Sequence, residues 1–407
     1  MNLADEKQVL DNKSKISHCA ERLAVKHRPK ILFILDSQFS EWKGTQRFLY
    51  EFGTYLSKNG FTITLIENSR NRGEIDIPIN RDLPFNIVSV KFPRLFGIYY
   101  VPKKVIQEIS PDVIYSNSLN STPLTPLANI PTIFGMHVVH VSSLQYIGAG
   151  GRLKFNLKKP FFIAIVKLLW KNHRIMVHAL NSDQEQWINH ITGNKFPVKV
   201  IGNPVDCISA GIMETIMHKE RNAKFQILFF GSFDVSRGFK AFIDIIDLIE
   251  TKEINKNITF FIVGDGPLRQ AAEKSASVYR NIKLIIRPDD EEKTKIMANS
   301  DLFVFPSIIE NFSIATVEAQ LCGLPALVSD IKPLQNIIID GQTGYCLPMA
   351  NFKTHYCEKI EEYYQLWLSD YEQYKNIRLD ISEISKRLCK EHVLPQLLDM
   401  VNSFLHF

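Results

Sequence analysis

The chain lacks any apolar stretch of membrane-spanning length. Its longest apolar run, Phe161 to Trp170, is ten residues long and contains Lys167, about half of a bilayer-crossing helix. Residues 1–28 form a polar N-terminal extension without the apolar centre of a secretory signal, and they read as a helix, a partner contact or disorder. Both lacks lead us to expect a cytoplasmic protein. Cysteine is sparse as well. Cys19, Cys207, Cys322, Cys346, Cys357 and Cys389 form no C-x-x-C pair and no Cys/His zinc spacing, so they read as buried or idle thiols of a reducing compartment, with no metal site. No strand-like run is followed by G-x-G-x-x-G, which argues against a dinucleotide oxidoreductase. Acidic residues are missing from one long stretch: no Asp or Glu stands between Asp112 and Asp183.

The 407 residues suit two domains, given that domains commonly run to about 100–200 residues. Hydrophobic residues at 45% and charged residues at 22% are a globular balance that excludes wholesale disorder. The net charge of +5 permits an anionic substrate without calling for nucleic acid. Ile31–Leu35 is a continuous apolar run that reads as a buried parallel strand, a polar loop follows to Gly44, and Thr45 to Lys58 has helical spacing. Further strand-like runs follow at 61–66, 112–115, 131–134 and 174–179. A second series starts at Phe225 and continues at 258–267, 282–286, 302–307 and 325–330, with a tail of two helical stretches from about Phe352. Alternating strands and helices imply an α/β protein, here two doubly wound Rossmann-like domains. We place the first at 29–205, a linker at 206–224 and the second at 225–385.

Ligands of such sheets sit beyond the carboxyl ends of the strands, so the loops there carry the chemistry. The first loop, Gly231 to Gly238, opens a helix whose N-terminus favours an anion. Arg237 adds a bidentate cation and Lys240 lies three residues on. The second, Val263 to Arg269, has Gly264 and Gly266 around Asp265. The glycines let a ligand approach the backbone, and Asp265 either caps a helix or meets that ligand. The third, Pro306 to Pro325, is the most informative. Glu310 and Glu318 are eight residues apart, about two helical turns, so both carboxylates are expected to face one crevice. Asn311, Phe312 and Ser313 present amides at a helix start, suited to a diphosphate, and a carboxylate suits sugar or ribose hydroxyls. The fourth is the turn Asp340 to Gly344.

Together the four loops resemble the family 4 glycosyltransferases, whose pattern is G-x-L-x-x-x-K-G, V-G-x-G-P, F-P-S-x-x-E-x-F-G-x-x-x-x-E and D-G-x-T-G. The matches occur in order from Phe225 to Leu347. The resemblance implies a GT-B fold, with residues 386–407 packing back on the N-terminal domain, and transfer that retains anomeric configuration without a metal or cofactor. It assigns Glu318 to the nucleotide ribose, Glu310 and His137 to the donor sugar, and Arg237 and Gly44 to the donor phosphates. The substrates it implies are a UDP- or GDP-sugar donor and a glycan or lipid-linked acceptor. The chain departs from the pattern at Ser232, where a second cation is common, and at Asn311, where a glycine is common. Those departures leave a non-catalytic GT-B subunit as the alternative. Independently of the family, residues 152–174 carry Arg152, Lys154, Lys158, Lys159, Lys167, Lys171 and Arg174 among aromatic and aliphatic residues. This stretch is either a peripheral contact with an anionic membrane or an internal helix with solvated lysines.

Overall fold

The computed structural model describes residues 28–35, 39, 44–68, 83–92, 94–95, 98–99, 101–117, 130–136 and 174–405. The first lobe comprises β1 (Lys30–Leu35), α1 (Gly44–Lys58), β2 (Thr62–Asn68), β3 (Asn86–Val90), a hairpin β4 (Arg94–Leu95) and β5 (Ile98–Tyr99), α2 (Lys103–Ile109), β6 (Val113–Ser116), β7 (Thr132–Gly135), β8 (Ile175–Ala179), α3 (Ser182–Thr192) and β9 (Val198–Val200). The second runs through α4 (Ala210–Met217), β10 (Phe225–Ser232), α5 (Phe239–Ile249), β11 (Ile258–Asp265), α6 (Arg269–Val278), β12 (Ile282–Ile286), α7 (Asp290–Asn299), β13 (Leu302–Phe305), α8 (Ile314–Leu321), β14 (Ala326–Ser329), α9 (Lys332–Gln335) and β15 (Gly344–Leu347). Helices α10 (Phe352–Ser369), α11 (Tyr371–Ser385) and α12 (Lys390–Leu405) complete the chain.

Among the described residues the first sheet has the order β3-β2-β1-β6-β7-β8-β9 and the second β12-β11-β10-β13-β14-β15. Every pairing within these two sheets is parallel. Each central strand is apolar on both faces because crossover helices cover both; Leu32, Phe33 and Ile34 of β1 are fully buried. Helix α1 returns the chain from β1 to β2. It buries Phe48, Leu49, Phe52 and Leu56, spaced for one helical face. The strand order reverses between β1 and β6 in one sheet and between β10 and β13 in the other. The loops leaving these strands therefore splay apart and open a crevice.

Three features depart from the sequence reading. The tail is three helices, because Asp370 ends α10 and its side chain accepts from Gln373 N at 3.0 Å to start α11. Strand β15 follows the Asp340–Gly344 turn and pairs with β14. Cys207 and Cys389 are not idle thiols but are joined as a disulfide, with Cα atoms 5.3 Å apart across 182 residues of sequence. A parallel bridge between Val205 and Cys389 and a 2.7 Å hydrogen bond from Lys390 N to Val205 O bring them together. The final helix then packs Val393, Leu394, Leu397, Met400, Val401 and Phe404 into the core of the first lobe.

Candidate active site

The loops leaving β10 and β13 are joined by backbone hydrogen bonds. The carbonyl of Ser236 accepts from Ile308 N at 2.8 Å and Ile309 N at 3.2 Å. Gly238 makes this possible: at φ +71° it lies so close that an added Cβ would stand 1.8 Å from Pro306 O. The stitching places Arg237 beside Glu310. Arg237 Nη1 forms an ion pair with Glu310 Oε1 and donates to Ile309 O at 3.0 Å. Glu310 is 4% exposed and also accepts from Ser307 Oγ at 3.2 Å. Burial pushes its carboxyl above the usual range, and Arg237 and Ser307 offset only part of that rise. Lys240, the second residue of α5, is exposed.

Glu310 stands in the loop that precedes α8. Glu318 is on α8 and has different partners: Lys293 Nζ on α7 at 2.9 Å and Arg47 Nη1 on α1 at 3.8 Å. Ser313 caps α8, its Oγ accepting from Thr316 N at 3.3 Å. Asn311 and Phe312 face the first lobe. The carbonyl of Asn311 accepts from Asn181 Nδ2 at 2.7 Å, and the Phe312 ring lies against Gly202, where a Cβ would meet it at 2.6 Å. Gly44 opens α1 close to Ile314, the first residue of α8, whose Cδ1 is 4.0 Å from where a Gly44 Cβ would stand. Two helix N-termini thus meet across the cleft, an arrangement suited to an anion.

Gly264 and Gly266 lie against the loop that leaves β10. A Cβ at Gly264 would sit 1.9 Å from Gly231 O, and one at Gly266 2.6 Å from Phe233 N. The close approach is by the neighbouring loop's backbone. Asp265 caps no helix: it accepts from Gly266 N at 2.8 Å and pairs with Arg287 Nε at 2.6 Å. His137 and residues 1–27 and 152–173 lie outside the described residues.

Sequence reading did not connect Arg47, Asp206 and Lys293 with Glu318. The signal for Arg47 was its place three residues after Gly44 on the same helix. It also missed Asn117. That residue is 1% exposed just after β6, and neither of its side-chain amide atoms has a hydrogen-bond partner among the described residues. The described His/Cys/Asp/Glu cluster at Cys207, Cys389 and Glu391 has both sulfurs in the disulfide, so it offers no thiolate to a metal.

With this geometry in hand, residues 214–379 match the model of the family described as Glycosyl transferases group 1. The fold is GT-B. Among solved GT-B structures, Anabaena Alr3699/HepE in complex with UDP-glucose superposes with TM-score 0.67 at 18% identity, covering 92% of this chain and 99% of that one. An uncharacterised 41.2 kDa protein of the cps region of Klebsiella pneumoniae is 29% identical over 203 residues, 48% of this chain and 53% of its own length. The UDP-Gal:alpha-D-GlcNAc-diphosphoundecaprenol alpha-1,3-galactosyltransferase of Escherichia coli is 29% identical over 260 residues, 60% of this chain and 65% of its own. The chain thus spans from about half to under two thirds of these curated relatives. The four loops of this GT-B site fall within or beside the segment that the family model matches. No described helix is long and apolar enough to cross a membrane.

Proposed function

We propose that the chain is a retaining glycosyltransferase. It moves a sugar from a UDP- or GDP-sugar to a glycan or lipid-linked acceptor in cell-surface polysaccharide or glycoconjugate synthesis. The observation that carries this reading is the Arg237–Glu310 pair at the strand-order reversal of the second sheet, beside two helix N-termini that meet across the cleft.

In the reaction the bond from the anomeric carbon to the diphosphate breaks, and negative charge grows on the leaving group. Arg237, Lys240 and the amides at Gly44 and at Asn311–Ser313 stabilise that charge with donors already in place. Glu318 accepts from the ribose hydroxyls. Glu310, with His137, accepts from donor-sugar hydroxyls, and Arg237 keeps it from having to stand alone as a buried charge. The acceptor hydroxyl enters from the first lobe on the face the diphosphate leaves, and its proton passes to a departing phosphate oxygen. The proposed chemistry uses no metal and no cofactor. The basic segment 152–174 would hold the protein peripherally on an anionic membrane at the cytoplasmic face, near a lipid-linked acceptor; the acceptor named for the Escherichia coli relative is a diphosphoundecaprenol-linked sugar.

The test is release of UDP or GDP from sugar nucleotides in the presence of polyprenyl-diphosphate-linked sugars. Turnover is expected with one nucleotide class and is lost in Arg237→Ala. Full turnover by Arg237→Ala would overturn the phosphate role. Flotation with acidic liposomes at low salt tests the membrane contact, and failure to float would remove it.

A further inference from the structure

Glu318 belongs to a row of charges that alternate in sign and cross from one lobe to the other. On α1, Glu51 lies 3.8 Å from Lys390 of α12. Lys390 pairs with Asp206 of the linker, and Asp206 pairs with Arg47 Nη2 at 2.7 Å. Arg47 Nη1 faces Glu318 Oε1 at 3.8 Å, Glu318 meets Lys293 at 2.9 Å, and Lys293 meets Asp290 at 3.0 Å. A cavity of about 550 Å³ opens along this row between α4, α7 and α8. Each member is held by neighbours of opposite sign. Burial alone would raise Asp206, yet the hydrogen bonds from Lys390 and Arg47 outweigh it and hold that carboxyl low.

Arg47 is the one member of the row that bridges from the first lobe directly to Glu318. Its planar guanidinium spends one end, Nη2, on Asp206 and turns the other, Nη1, toward Glu318, so separate N–H groups in a fixed fork serve the two carboxylates. At 3.8 Å the contact with Glu318 is a charge contact longer than a hydrogen bond. It sets a positive charge beside Oε1 without itself taking a hydrogen bond there, while Lys293 Nζ donates to that oxygen at 2.9 Å.

We propose that Arg47 is a positioning residue for the donor: it holds Glu318 from across the cleft and thereby sets how tightly a nucleoside diphosphate binds. The inference rests on the donor-site reading above and adds a residue that the family pattern does not include.

The test is a double-mutant cycle on the full chain, reading dissociation constants for UDP and GDP by calorimetry. Arg47→Gln is expected to weaken binding by about tenfold, with Arg47→Lys in between. In a Glu318→Gln background the same change at Arg47 is expected to do little. The melting temperature without ligand is measured alongside, because a purely structural role would lower it and weaken binding equally in both backgrounds. With sugar nucleotide, the donor KM rises while kcat holds. If the parent binds a diphosphate and Arg47→Gln binds it equally, or if the two changes are additive, the inference is overturned and the donor site stands. If the parent binds neither diphosphate, the donor-site reading falls and the inference with it.

Discussion

Glu310 is a carboxylate with 4% exposure whose charged partner, Arg237, is itself about one third exposed. Removing the cation alone leaves a buried negative charge that, among the described residues, keeps the hydrogen bond from Ser307. Arg237→Ala is therefore expected to lose about 1–3 kcal/mol of folding stability along with turnover. Arg237→Ala with Glu310→Gln should recover the stability and not the turnover, as read by urea denaturation and product formation. Equal stability of parent and single variant would mean that the pair does not hold the loop. Asn117 poses the opposite case. Its buried amide has no partner among the described residues, so it costs stability as it stands. Asn117→Leu is expected to raise the melting temperature. A concurrent drop in turnover would mark the amide as facing a substrate, and unchanged turnover would leave it structural.

At the scale of elements, β6 and β8 are tied across the strand between them. Tyr115 on β6 meets His178 Nδ1 on β8 at 2.6 Å, and His178 Nε2 meets Ile201 O at 2.8 Å. The bond passes over β7 because Gly135 has no side chain there; a Cβ would lie 2.6 Å from the Tyr115 hydroxyl. Donation from Nε2 to a carbonyl and acceptance at Nδ1 fit a neutral imidazole, and burial lowers the His178 pKa to about 4. The unfolded chain therefore takes up a proton near pH 6.5 that the folded chain refuses until about pH 4. Stability falls as pH falls through that window, by about 3 kcal/mol at its foot. His178→Gln should flatten that part of the stability–pH curve, and an unchanged slope would remove His178 as its cause. None of this was legible in advance, since a histidine in an apolar strand has no local pattern. The strands of the second lobe were legible, because parallel strands covered on both faces are written as unbroken apolar runs such as Leu302–Phe305. The loops were legible as glycine and carboxylate positions, but their partners were not. Whether Gly264 admits a ligand or a neighbouring backbone depends on Gly231, 33 positions away. Strand β15 was missed because its four residues, Gly-Tyr-Cys-Leu, are too short to show a period.

At the scale of the whole molecule, the chain crosses between lobes in the linker and again before α12, and these two crossings are tied together. The Val205–Cys389 bridge, the Lys390–Asp206 pair and the Cys207–Cys389 disulfide lie within a few residues of one another. Closing a loop of 182 residues removes much freedom from the unfolded chain, which in the chain-entropy account amounts to several kcal/mol, about 2–5 when a native bond is lost. The bond also acts on geometry. It fixes the linker to the start of the helix that packs on the first lobe, so relative motion of the lobes must bend around this point. Asp206 carries that constraint one residue further, to Arg47 and so to the cleft. Under denaturing, non-reducing conditions, two of the six cysteines should resist iodoacetamide, and peptide mapping should find them to be Cys207 and Cys389. Cys207→Ser should lower the melting temperature of the oxidised protein and leave that of the dithiothreitol-treated protein nearly unchanged. Should all six cysteines alkylate without reductant, the crossings are held by the Asp206 pairs and the backbone bridge alone. Cys207→Ser would then be silent under both conditions.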